Sequence, residues 1–152
     1  MFLSDLIRLL LLLVLGIFQL SRASIIYGLK PDFLFVYLVF LGLDEKRWPR
    51  RIFFLALSIV LLKFLPNFTS QSLLFAAGVV LGYLVIDYFP SRLAVSFFLA
   101  LTLGTFLIDL RIRGFDWLSV VLELGYNLAL GLVFLSLTHL YDFKRKKKSF
   151  FR

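Results

Sequence analysis

The chain has 152 residues, of which 61% are hydrophobic, 19 are phenylalanine and only 17% are charged. A water-soluble domain holds roughly 45–50% apolar residues and needs charge spread over its surface, so the composition excludes one and indicates a polytopic membrane protein. The absence of cysteine excludes disulfides and thiolate chemistry, and the net charge of +8 reads as topology signal and lipid-headgroup contact, not nucleic-acid binding.

The first predicted segment, Leu3–Leu20, includes the run LLLLLVLGIF. Ser21-Arg22-Ala23 loosely fits a signal-peptide cleavage site, but Asp5 beside Arg8 does not suit a cationic leader, so a retained first helix is expected. The second segment, Pro31–Leu43, is short. Its uninterrupted apolar part, Phe33–Leu43, reaches only about 16 Å at a helical rise of about 1.5 Å, against a hydrocarbon core of about 30 Å. Pro31 suits a first helical turn, where its missing N–H would be unpaired anyway, and Asp32 suits the positive end of the helix dipole. A helix starting below the membrane surface is therefore expected, its outer end sheltered by neighbours under a shallow polar cavity on the non-cytoplasmic side. Two alternatives remain: the helix extends back through Ser24 with Lys30 reaching to the interface, or the bilayer thins locally.

Four more segments follow at Ile52–Leu65, Leu73–Phe89, Leu93–Leu110 and Trp117–Tyr141. The expected fold is an all-α polytopic bundle of six transmembrane helices, with residues 1–143 as the membrane domain and 144–152 as a basic tail. Six spans put Arg8, the loop DEKRWPRR, Arg92, Lys144–Lys148 and Arg152 on one side, twelve of the seventeen Lys and Arg residues. The positive-inside rule then makes both termini cytoplasmic.

Polar residues in the apolar segments are the candidate functional groups, because such residues are costly there. Gln19, Asp87, Asp109, Glu123 and Asn127 qualify. Asp87 lies near Arg92, and Asp109 near Arg111 and Arg113, so both read most simply as local ion pairs at an interface. Glu123, Asn127 and Gly131 repeat at i, i+4, i+8 and share one face, which should meet protein, with Arg22, Lys30, Arg111 or Arg113 as partners for Glu123. Gln19, Arg22, Lys30, Asp32, Glu123 and Asn127 form the candidate partner-binding or polar-cavity set. Gly78, Gly82, Ala100, Gly104 and Gly131 have the small-residue spacing that lets helices approach closely. Arg47, Arg50, Arg51, Lys144, Arg145, Lys146, Lys147 and Lys148 are expected at anionic lipid or a cytoplasmic partner. His139 is the single histidine, with no nearby pair of acids, and no metal-ligand spacing, phosphate loop or nucleophile motif accompanies it. No catalytic residue, metal or cofactor is expected.

The run FQLSRASIIYGLKPDFLFVYLVFLGL resembles the opening of the rod shape-determining protein MreD family, with Gln19 near the end of helix one, then Pro31-Asp32 and a leucine-rich second helix. The last segment resembles the family's final helix, with Asn127 in its first half and a basic end. A departure is Lys63, near the end of the third segment, where the family often carries an acid. The resemblance implies a non-enzymatic subunit of the cell-elongation complex in a bacterial inner membrane, with MreC, RodA, an elongation penicillin-binding protein and MreB as partners. It also implies a fold similar to the substrate-binding components of energy-coupling-factor transporters, which supplies the alternative function, small-molecule binding within a transporter.

Overall fold

The computed structural model describes residues 2–21, 32–62, 71–89, 93–109 and 117–149. These form six helices and no strand: α1 (Phe2–Leu20), α2 (Phe33–Asp44), α3 (Trp48–Leu62), α4 (Gln71–Tyr88), α5 (Leu93–Asp109) and α6 (Trp117–Ser149). Pro31, Arg22, Lys30, Lys63, Arg92, Arg111 and Arg113 lie outside the described residues.

α2 is the hub. Its sequence, FLFVYLVFLGLD, has no polar stripe, and a helix that is apolar all round must be buried all round. Residues 34–39, Leu41 and Gly42 are buried, and α2 packs against each of the other five helices. Those five form a ring in the order α1, α3, α4, α5, α6. Among the described residues α1 and α6 do not pack on each other, so the ring is open between them. Aromatic rings close part of that opening: Phe134 of α6 stacks on Phe40 and meets Tyr37, and the Tyr37 hydroxyl donates to the Arg8 carbonyl of α1 at 3.0 Å.

α4 and α5 form the most extensive pair, and their small residues are the reason. A Cβ on Gly78 would come within 3.1 Å of the Gly104 carbonyl oxygen, and one on Gly104 would come equally close to the Gly78 oxygen and strike the Phe35 ring. Gly82 faces Ala100 and Val39, and Gly131 of α6 receives Phe97 and Leu101 of α5. Backbone-to-backbone approach of this kind needs the missing side chains.

The bundle has two chemically distinct ends. One gathers the start of α1, the α2–α3 connection and the end of α4, joined by ion pairs among Asp5, Arg8, Asp44, Glu45, Arg50, Arg51 and Asp87. The other gathers the end of α1, the start of α2, the end of α5 and the first turns of α6. Between them the exposed faces are apolar, including Leu10, Val14 and Ile17 of α1, Phe53 of α3, and Val121 and Val133 of α6. Among the described residues, one stretch, Trp117–Leu137, is long and apolar enough to cross a membrane, while Phe33–Asp44, Ser72–Tyr88 and Ala94–Ile108 are shorter apolar helices.

The element boundaries depart from the sequence reading in two informative places. The expected third segment began at Ile52, after a loop DEKRWPRR, whereas α3 begins at Trp48. Proline is tolerated in a first turn, so Trp48-Pro49-Arg50-Arg51 is helix, closed by Arg50 and Arg51 N–H donating to the Arg47 carbonyl at 3.1 and 3.2 Å. The sixth segment was expected to end at Tyr141, whereas α6 continues to Ser149.

Candidate functional site

The start of α2 carries the clearest polar constellation. A helix N-terminus leaves its first N–H groups without intrahelical acceptors, and here the acceptors come from other helices. Asp32 is the N-cap residue, yet its carboxylate makes no capping bond to its own helix. Instead the Phe33 N–H donates to Gln19 Oε1 of α1 at 2.8 Å, and the Asp32 N–H donates to Asn127 Oδ1 of α6 at 3.0 Å. Gln19 then donates through Nε2 to Asp32 Oδ1 at 2.8 Å, and Asn127 donates through Nδ2 to Thr105 Oγ1 of α5 at 3.0 Å. Four helices thus meet in one chain of hydrogen bonds.

The chain is largely buried. Asn127 is fully buried, Gln19 and Thr105 are buried, and Asp32 is half-buried. Each primary amide uses its oxygen on a backbone donor of α2 and its nitrogen on a side-chain acceptor, which is what an amide does better than a hydroxyl or a carboxylate. Satisfied in this way, a buried polar network rigidifies the packing and leaves no desolvated group unpaired. Of the six residues expected at this end, Gln19, Asp32 and Asn127 are therefore brought into direct contact. Glu123 lies one turn before Asn127 on α6 and is half-buried; Arg22 and Lys30 fall outside the described residues. Thr105 was not expected. Its only sequence signal is a hydroxyl directly after Gly104, at the close-packed seam of α4 and α5.

A second constellation closes the opposite end of α2. Arg51 is fully buried, although the sequence reading assigned it to lipid or cytoplasm. Its Nε donates to the Glu45 carbonyl, and Nη2 donates to the Gly42 carbonyl at 2.8 Å. Nη1 and Nη2 grip the Asp87 carboxylate of α4 at 2.7 and 2.9 Å. The guanidinium also lies over the Trp48 and Tyr83 rings, 5.5 and 5.0 Å from their centroids. The planar fork matches a carboxylate bidentately and still reaches two carbonyls. Asp87 therefore pairs with Arg51; Arg92, the partner its neighbourhood in sequence had indicated, lies outside the described residues. The missed signal was phase: Arg51 shares the i, i+3, i+4, i+7 stripe with Phe54, Leu55 and Ser58, all buried.

Around this core lies a more open ion-pair web. Arg8 pairs with Asp44 and with Glu45 at 3.3 Å, and Arg50 pairs with Glu45 at 3.2 Å and Asp5 at 3.7 Å. Burial pushes the Glu45 carboxyl up, but the Arg47 N–H together with Arg50 and Arg8 outweighs it and holds the group below its usual range. Arg50 is half-buried and Arg47 exposed. Positions 144–148 lie on α6.

The two ends of α2 are thus closed in matched fashion: amide oxygens accept at its positive end, and a guanidinium donates at its negative end. This arrangement holds a helix in place; it contains no nucleophile paired with a base. No family model, curated protein or solved structure matches the chain.

Proposed function

We propose that the chain is a non-enzymatic membrane subunit of the bacterial cell-elongation complex, of the MreD kind, carried by six helices in the inner membrane with both termini cytoplasmic. The observation that carries the reading is the joining of Gln19, Asp32 and Asn127 in one hydrogen-bonded chain. These are among the residues on which the resemblance to that family rests, and they come from the two stretches of sequence that carry it. Their shared task, closing the buried start of a short helix, gives the motif a physical reason to occur as a set. The membrane setting is supported by the apolar faces between two polar ends and by the 21-residue apolar stretch of α6. In hydrocarbon, a helix of 12 residues that begins inside the slab needs the groups at that end satisfied by protein.

In this role the chain acts by docking. The open side of the ring, between α1 and α6, offers apolar helix faces to the membrane anchor of a partner such as MreC, with RodA, its penicillin-binding transpeptidase and MreB as further members of the assembly. A transporter-type binder of small molecules is less well supported. Its cavity would need polar groups free to orient a solute, whereas Gln19, Asn127 and Thr105 direct theirs to α2 and to one another.

Purification from native membrane in mild detergent tests the proposal. A bitopic, MreC-type partner that co-purifies with the parent chain, and is lost on truncating exposed residues of α1 such as Val14→Ala and Ile17→Ala, is the expected result. Stoichiometric co-purification of a vitamin or metal ion, with no membrane partner, overturns it.

A further inference from the structure

α6 is 33 residues long, about 50 Å at a rise of about 1.5 Å per residue. Its apolar stretch, Trp117–Leu137, takes 21 of these, about 31 Å, which matches a hydrocarbon core of about 30 Å. The helix therefore continues for about 18 Å past its apolar part, and on that extension stand Lys144, Arg145, Lys146, Lys147 and Lys148.

Two features of the extension bear on what it meets. Five consecutive positions at about 100° per residue sweep about 400°, so the basic positions run right round the helix axis as a collar and do not fall along one stripe. A stripe suits one face of a partner protein, or a helix lying flat in the interface with an apolar side down; a collar suits something that surrounds the rod. The collar's height is the second feature. Positions 144–148 lie about 10–16 Å beyond Leu137 along the axis, and headgroups fill the first 5–7 Å or so beyond the hydrocarbon. These positions are then within about one Debye length, roughly 8–10 Å, of the headgroup surface. Their position in the last turns of the helix also sets them against the negative end of its dipole, which offsets their mutual repulsion and lets the helix run on.

We infer that positions 144–148 form a juxtamembrane cationic collar that gathers anionic phospholipid headgroups around the end of α6. The inference rests on the membrane reading of the chain but not on its assignment to the elongation complex. Because attraction of this kind is Coulombic and diffuse, it selects lipid charge and not headgroup shape.

The chain has no cysteine, so Ser149→Cys gives a unique thiol for a fluorescent donor on the full-length protein. The labelled protein is reconstituted in phosphatidylcholine vesicles carrying, at equal low mole fraction, acceptor-labelled phosphatidylglycerol or acceptor-labelled phosphatidylcholine. The ratio of transfer efficiencies reads local enrichment of the anionic lipid. At low salt the expected enrichment is about threefold, falling to one in about 0.5 M salt as the Debye length shrinks, and falling to one at low salt when all five cations are replaced by glutamine. A ratio of one for the native collar at low salt overturns the inference. So does an equal ratio for the glutamine variant, since the enrichment would then come from elsewhere on the chain. Flotation of carbonate-washed vesicles separates the two levels: protein that does not float refutes the membrane reading and the collar with it.

Discussion

Removing the Asp87 carboxylate should expose how much the buried guanidinium depends on it. Arg51 is fully buried and gives two hydrogen bonds to Asp87 and two to the carbonyls of Gly42 and Glu45. Asp87→Leu leaves the backbone pair intact and strips the countercharge. Breaking a buried ion pair from one side costs about 3–5 kcal/mol. The Asp87 side chain keeps 34% of its surface exposed, so water can enter the vacated position, and the expected cost drops to about 2–3 kcal/mol. For a chain of this size that lowers Tm by about 5–10 °C. The double variant Arg51→Met/Asp87→Leu removes both charges and leaves only two carbonyls to be satisfied, so it should melt above Asp87→Leu alone. Thermal unfolding of the detergent-solubilised protein, followed by size-exclusion recovery, measures all three. A single variant melting within about 2 °C of the parent, or a double variant no better than the single, would refute the assignment of Arg51 as a buried, countercharge-dependent lock.

Further outcomes are expected at other positions. Asn127→Leu leaves the Asp32 N–H and the Thr105 hydroxyl without their partner and should destabilise by about 2–4 kcal/mol, against about 1 kcal/mol for Thr105→Val, in the same melting assay. Gly104→Ala drives a methyl into the Phe35 ring and the Gly78 carbonyl and should cost about 1–3 kcal/mol; Gly125→Ala, with nothing within 4 Å of the new atom, should be neutral or gain up to about 1 kcal/mol. Glu45 has a folded pKa below its ordinary 4.5, so its contribution to stability is present above that value and is lost as the pH falls through the lower, folded one. The Tm gap between parent and Glu45→Gln should therefore be full at pH 7 and close in acid below 4.5; a gap unchanged across that range contradicts the Arg8 and Arg50 pairing.

What could be read ahead of the structure was whatever hydropathy alone controls. Apolar runs broken by charge and proline mark out all six helices, and Gly78, Gly82 and Ala100 stand at the spacing of the close seam between α4 and α5. The shortness of α2 is also plain from eleven apolar residues between two aspartates. The identity of the groups at its two ends is not. Gln19 and Asn127 stood out as polar residues in apolar surroundings, but nothing local states that their oxygens turn to the backbone of α2, because that depends on how three helices converge. Arg51 was misjudged for a sharper reason: charge was weighed ahead of phase. Counted as a cation it belongs at the surface; counted by register it sits on the stripe of Phe54, Leu55 and Ser58, and its carboxylate is 36 residues away. The length of α6 was likewise underestimated, because cations ended the apolar pattern without ending the helix.

The trans-closed hub also imposes an order on biosynthesis. The acceptor for the Asp32 amide is encoded 95 residues downstream, which at about 5–20 residues per second is a delay of roughly 5–20 s. Throughout that interval the nascent second helix has its α1 contact through Gln19 and lacks the one from α6, so it is a half-finished element that something must shelter. Truncations that stop short of Asn127 should be degraded as they are made, because α6 supplies the acceptor that completes the buried start of α2.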